Sequence, residues 1–151
     1  MKPLIVLITS FVISLIAIRI LSKDYDVALA ACIAMSIMLL FTSIAHFAFT
    51  KGMTMMMPGF FPFKKGLVYF TGILEIAAAI GLLIPGLKVL TAWLLILFFT
   101  VLLPANINAA IHHVDYQKGS FEGHGTTYLW FRVPLQILFI LWVYFSAIKF
   151  P

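Results

Sequence analysis

The sequence predicts an all-α integral membrane protein, a bundle of transmembrane helices in a single domain covering residues 1–151. Hydrophobic residues make up 64% of the chain and charged residues only 10%, whereas soluble domains contain roughly half and about one quarter. Five apolar stretches are each close to the ~20 residues that a helix needs to cross the hydrocarbon core. They cover about residues 3–21, 28–49, 67–85, 88–111 and 127–148.

The first stretch follows Lys2 and has the length of a secretory signal. It ends in Arg19 and Lys23 without a small-residue cleavage pattern, which favours a retained helix. A short polar connection leads to the second stretch. The third begins beyond Lys65 and ends at the turn formed by Pro85 and Gly86, because proline and glycine rarely continue a helix.

The fourth and fifth stretches complete the predicted bundle. The fourth contains Pro104, which removes a backbone donor and permits a kink beside a cavity. The fifth follows a glycine-containing loop, residues 112–126. Cys32 is the only cysteine, so no internal disulfide is possible. The formal charge of +5 comes mainly from lysines near segment ends, and no basic run indicates a nucleic-acid partner.

Glu75 is the most informative residue because no other charge lies between Lys65 and Lys88. A carboxylate in the middle of a transmembrane helix costs about 2.5 to 3.5 kcal/mol on insertion scales, so it needs a partner. Arg132, near the start of the fifth stretch, is a residue of opposite charge that also lies within an apolar segment. We therefore predict that Glu75 and Arg132 pair across helices.

Five alternating spans would bring the amino terminus and the two long loops, residues 50–66 and 112–126, to one side, called face A. The opposite side is face B. Glu75 would lie about 12 Å in from face A, and other polar residues would lie in the same half of the membrane. This predicts a polar ligand pocket that opens toward face A. Its predicted residues are His46, Glu75, Asn106, Asn108, Arg132 and Gln136.

Each pocket residue also has a purely structural interpretation. The two charged residues could form an ion pair that fixes helix register, and His46 could be an interfacial side chain. The amides of Asn106, Asn108 and Gln136 could be interhelical hydrogen-bonding groups worth about 0.6 kcal/mol each.

Two loop clusters contain candidate metal ligands. His112, His113, Asp115 and His124 offer ligands for zinc or copper, but their spacing matches no fixed motif. The methionines of the first long loop offer soft ligands for copper(I), although an apolar loop in the membrane interface is the favoured interpretation. They are Met53, Met55, Met56 and Met57. We predict neither a metal site nor a catalytic residue set.

Four motifs resemble those of the DoxX-like membrane proteins over about residues 28–148. They are His46-Phe47 before a loop ending Phe61-Pro62, the segment 71–75, the turn 104–107 and the segment 132–136. The resemblance implies a small helical bundle, commonly of four spans, so the first helix is an addition. The family takes its name from subunits of a thiosulfate:quinone oxidoreductase, and related proteins are implicated in redox partnering or in assisting other membrane proteins.

Two functions follow as hypotheses. The pocket would bind a small amphipathic ligand, quinone-like or lipid, as a subunit of a membrane redox complex in a cell membrane of bacterial type. Alternatively, the protein would be a structural or assembly partner of another membrane protein and have no ligand chemistry of its own. Stand-alone catalysis is disfavoured, because no complete catalytic constellation is present in the sequence.

The predicted five-span topology puts the two ends of the chain on opposite faces. Reporter fusions at Lys2 and Lys149 should therefore report opposite sides, and face A carries six of the ten basic residues, which favours its being cytoplasmic. Two ends on the same side would remove the five-span arrangement.

Overall fold

A computed structural model describes residues 2–150 and consists of helices. Helix α1 spans Lys2–Ser22, α2 Val27–Ala48, α3 Thr50–Met56, α4 Lys64–Gly81, α5 Lys88–Ile111 and α6 Thr127–Val143, with a π-helical segment, Tyr144–Lys149, continuing α6. The described residues contain no β-strand, only an isolated bridge between Asp115 and Ser120. The predicted all-α transmembrane bundle is confirmed.

Four helices are long and apolar enough to cross a membrane: α1, α2, α5 and the continuous helix Thr127–Lys149. Helix α4 is not among them. Its 18 residues give a length of about 27 Å, close to the ~30 Å of a hydrocarbon core, but it includes Lys64, Lys65 and Glu75. The protein is thus a multi-pass membrane bundle, and the crossing by α4 stays a prediction.

Helices occupy all five predicted stretches, but two details differ from the prediction. The sequence predicts the third helix over residues 67–85, whereas α4 begins at Lys64 and ends at Gly81, before the turn that contains Pro85 and Gly86. It also predicts a loop over residues 50–66, yet seven of them form α3. A helix of two turns is too short to produce a recognisable hydrophobic period.

Helix α2 is the centre of the bundle, packing against α1 on one side and α4 on another. The indole of Trp142 on α6 donates to the carbonyl of Ala31 at 3.1 Å, which fixes α6 against α2. The buried core combines α2 with residues of α5 and α6. It includes Met35, Met38, Leu39, Leu95, Phe99, Leu135, Phe139 and Val143.

Large apolar side chains cover the outside of the bundle. Ile20 is 74% exposed and Trp130 85% exposed, and similar exposed residues occur on all the long helices. In water such a surface would be costly. It is the surface that a lipid bilayer covers, because hydrocarbon tails are as apolar as these side chains.

Gly72 allows α4 to approach α2 closely. A Cβ atom at this position would lie 2.9 Å from the Cβ atom of His46 and 3.3 Å from the ring of Phe47. Real Cβ atoms do not make the shorter of these contacts. The residue therefore sets the distance between the two helices where they carry Glu75 and His46.

Replacing this glycine should separate the two helices. We expect Gly72→Ala to destabilise the protein by about 1 to 3 kcal/mol, the usual cost of overpacking. Gly66 is the matched control, because it lies on the same helix and a Cβ atom there would have nothing within 4 Å. Gly66→Ala should be neutral or stabilising, since alanine is the better helix former. Reversible unfolding in mixed micelles measures both, and equal effects would contradict the close-approach role.

Candidate functional site

A cavity of about 370 Å³ lies within the bundle toward the end that carries α3. Five of the six predicted pocket residues line it: His46, Glu75, Asn106, Arg132 and Gln136. Apolar side chains form the rest of its wall, including Met38, Phe99, Leu135 and Phe139. The cavity therefore has both apolar and polar walls inside a membrane bundle.

Glu75 obtains its partners from α2. The hydroxyl of Thr42 lies 2.9 Å from Oε2 of Glu75, and Nε2 of His46 lies 3.4 Å from Oε1. Thr42 and His46 are four residues apart and share one face of α2. This face, packed against α4, satisfies a carboxyl group that is only 5% exposed.

The other ring nitrogen of His46 is held by α4. Nδ1 lies 3.1 Å from the carbonyl oxygen of Val68 and 3.1 Å from the hydroxyl of Thr71. A carbonyl only accepts hydrogen bonds, so we assign a hydrogen to Nδ1. Val68 and Thr71 thereby orient the ring so that Nε2 faces the carboxyl group of Glu75.

The predicted ion pair between Glu75 and Arg132 is wrong. In the structure the carboxyl group pairs with His46 and Thr42, and Arg132 does not come within ion-pairing distance of it. The reason is the packing of the bundle. Glu75 is on α4, which packs chiefly on α2, whereas Arg132 is on α6, which packs chiefly on α5.

Arg132 instead begins a chain of hydrogen bonds between α6 and α5. Its Nε donates to Oδ1 of Asn106 at 3.3 Å, and the Asn106 amide donates to Oε1 of Gln136 at 2.9 Å. The Gln136 amide donates in turn to the backbone carbonyl of Phe99. Since each amide accepts at its oxygen and donates at its nitrogen, the chain has one direction and holds both buried amides in place.

Asn108 is the predicted pocket residue that does not line the cavity. Two positions along a helix turn the side chain by about 200°, so Asn106 and Asn108 face nearly opposite directions. The Asn108 amide donates to the carbonyl of Met56 at 2.9 Å. It therefore ties α5 to α3 rather than contributing to the pocket wall.

Helix α3 covers the cavity at the end nearest the two long loops. Met53, Met56 and Met57 line the cavity from this side, together with Tyr116 of the other loop. Gly52 fits directly against the backbone of Tyr116, where any side chain would clash. The two loops that the sequence assigned to face A are thus in contact above the cavity.

The histidine cluster of the last loop has other contacts. Nδ1 of His112 lies 2.9 Å from the carbonyl of Asn108, and Nδ1 of His113 lies 3.4 Å from that of Gly123. Across residues 2–150 no group of three histidine, cysteine, aspartate or glutamate side chains is arranged to hold a metal ion. The methionines are better described as part of the cavity cover, although Met55 is not among those that line it.

Thr42 is the site residue that the sequence interpretation missed. It lies in the cavity wall and contacts Glu75 directly. Its signal was available, because a threonine four residues before His46 shares its helix face. Threonine is nevertheless common in transmembrane helices, where its hydroxyl usually bonds to its own backbone, as Thr42 also does with the carbonyl of Leu39 at 3.0 Å.

Comparison with known proteins identifies one family. A family model described as a domain of unknown function, DUF8561, matches residues 35–147. This range contains α3 to α6, most of α2 and every predicted pocket residue, and it leaves α1 outside. No curated protein and no solved structure matches the chain.

The two polar groups should be energetically separate. Glu75→Gln and His46→Gln remove partners of one contact, so we expect a double-mutant coupling of about 0.5 to 3 kcal/mol. Glu75→Gln and Arg132→Met share no partner, so their effects should add to within about 0.5 kcal/mol. Unfolding in mixed micelles of the single and double variants measures both couplings. If the effects of Glu75→Gln and His46→Gln add while those of Glu75→Gln and Arg132→Met are coupled, the partner of Glu75 is Arg132 and the contacts described above are contradicted.

Proposed function

The chain belongs to the DUF8561 family, and from the geometry of its cavity we propose that it binds a small amphipathic ligand within the membrane. The ligand would place its apolar part against Met38, Phe99 and Phe139 and its polar head near Arg132. A quinone-like molecule and a lipid are the two ligand types that combine these parts. The protein would act as a binding subunit rather than as an enzyme by itself.

The observation that supports this proposal is a cavity beside polar groups that are already hydrogen-bonded to the protein. Polar residues that only join helices need no empty volume between them, since they bond directly. Here about 370 Å³ lies beside them, within the ~300 to 1,000 Å³ typical of ligand pockets. The mixture of mainly apolar walls and a few fixed polar groups is also typical of such pockets.

The polar groups are held in place before any ligand arrives. His46 is fixed by Val68 and Thr71, and the amides of Asn106 and Gln136 are fixed by the chain that ends at Phe99. A site whose groups are already oriented loses little conformational entropy when it binds. This supports binding more than a purely structural role.

The resemblance to DoxX-like proteins narrows the proposed ligand and the proposed role. It favours a quinone-like head group and a place as subunit of a redox complex in a bacterial-type cell membrane. In that setting the contact between His46 and Glu75 would lie in the cavity wall beside the ligand. The chain itself would supply binding and orientation, and its partner would supply the electron transfer.

Ala45 offers a way to test the pocket without touching its polar residues. It lines the cavity from α2, whereas Ala48, three residues further along, is exposed. Ala45→Phe should fill the cavity and Ala48→Phe should not. We expect mass spectrometry of small molecules carried through native purification to find an amphiphile at about one per protein in the wild type. Ala48→Phe should retain it, and Ala45→Phe should lose at least about nine tenths of it.

Both variants need equal melting temperatures for this comparison. A tightly associated membrane protein that copurifies with the wild type, with the cavity empty and no amphiphile bound, would instead favour the assembly role.

A further inference from the structure

We propose that the amphiphile has an anionic head group, a carboxylate or a phosphate, and that Arg132 binds it. This inference rests on the proposed function and selects between its two ligand types, favouring a lipid-like amphiphile over a neutral quinone. It comes from the charges that line the cavity and from the atoms of Arg132 that the protein leaves unused. It applies to a head group and a single apolar chain, in keeping with a cavity of about 370 Å³.

The charged and titratable residues that line the cavity are few, and only one of them is acidic. They are Lys2, His46, Glu75, Tyr116 and Arg132. Glu75 has His46 at one oxygen and Thr42 at the other, and Arg132 is not within ion-pairing distance of it. The remaining charges of the described lining, Lys2 and Arg132, are both positive. The cavity thus has a positive charge that its own acidic residue does not offset.

Of the three guanidinium nitrogens of Arg132, only Nε makes a hydrogen bond to a described residue. Its Nε donates to Asn106, a neutral amide, at 3.3 Å. Among the described residues neither terminal nitrogen of the guanidinium makes a hydrogen bond, and the side chain is half-buried. A guanidinium in a membrane without an anion is costly. Its two terminal nitrogens form a fork that matches the two oxygens of a carboxylate or phosphate.

The hydrogen-bond chain fixes the direction in which this fork points. Because Nε donates to Asn106, and Gln136 holds Asn106 in place, the guanidinium cannot turn without losing its Nε hydrogen bond. An anion would therefore meet the outer edge formed by the two terminal nitrogens. A neutral head group would accept hydrogen bonds there but would leave the charge without a counterion.

The apolar wall lies on the correct side of Arg132 for the chain of such a ligand. Phe139 is seven residues further along α6, which places it about 10 Å deeper in the membrane. Met38 lies a similar distance inward from His46 on α2. An amphiphile with its head on Arg132 would extend its tail along Leu135 and Phe139, all of which line the cavity.

The test uses purified protein in phosphatidylcholine nanodiscs, with empty nanodiscs to subtract partitioning into lipid. Four radiolabelled probes are compared by equilibrium binding: dodecanoate, dodecyl phosphate, dodecanol and dodecyltrimethylammonium. We expect at least one of the two anions to bind about tenfold or more tightly than the alcohol, and the cation most weakly. The tighter anion identifies the head group. Butanoate, which has the same carboxylate without the long tail, should bind more than about tenfold more weakly than dodecanoate if the carboxylate is preferred.

Two variants assign the preference to Arg132. Arg132→Gln should bring the anions and the alcohol to within about twofold of each other, and Arg132→Lys, which keeps the charge but not the fork, should retain part of the preference. Arg19→Gln, which removes an exposed arginine remote from the cavity, is the control and should bind like the wild type. If Arg132→Gln does not fold, the order of the four probes on the wild type and on Arg132→Lys still decides.

The outcomes separate this inference from the proposed function. Equal binding of anion and alcohol, both abolished by Ala45→Phe, would overturn the anionic head group and leave the pocket intact. An anion preference that persists in Arg132→Gln would overturn the role of Arg132. If no probe binds above empty nanodiscs and Ala45→Phe has no effect, the proposed function itself fails.

Discussion

The structure depends on how a single buried carboxyl group is satisfied. Glu75 lies near the middle of α4 with 5% of its surface exposed, in an environment where an unpartnered charge costs several kcal/mol. Thr42 and His46 can reach it only because Gly72 lets α2 and α4 approach each other. The helix spacing and the polar contact therefore support each other, and loss of either would affect both.

The satisfaction of Glu75 by α2 has a consequence on the other side of the cavity. Arg132 no longer has an acidic partner, and it is held instead through Asn106 and Gln136 to the backbone of α5. The two groups differ in their partners, since Glu75 is contacted by His46 and Thr42, whereas the guanidinium of Arg132 is bonded only to a neutral amide. This asymmetry within one cavity is the basis of the ligand class that we propose.

Helix α3 and Met57 cover the cavity at the end that carries the two long loops. Helix α3 is held by Asn108 from α5 and by Lys64, whose Nζ donates to the carbonyl of Met57 at 3.1 Å. Its methionines are flexible and polarisable, so they can adapt to ligands of different shape. The rigid polar groups below and the adaptable methionines above suit a site that selects a head group strictly and an apolar chain loosely.

The fold class, the approximate helices and most of the candidate site can be predicted from the amino-acid sequence. Composition and stretch length are sufficient for the helices, because a bilayer admits few other structures, and polar residues in such stretches are conspicuous. Which of these polar residues contact each other depends on how the helices pack. Spacing places residues on a helix face but does not specify which neighbour that face contacts, so opposite charge alone favours Arg132 over His46 as the partner of Glu75. The same limit concealed Thr42, the separation of Asn108 from the cavity and the helix α3, because each depends on how two helices pack and not on a repeat within either.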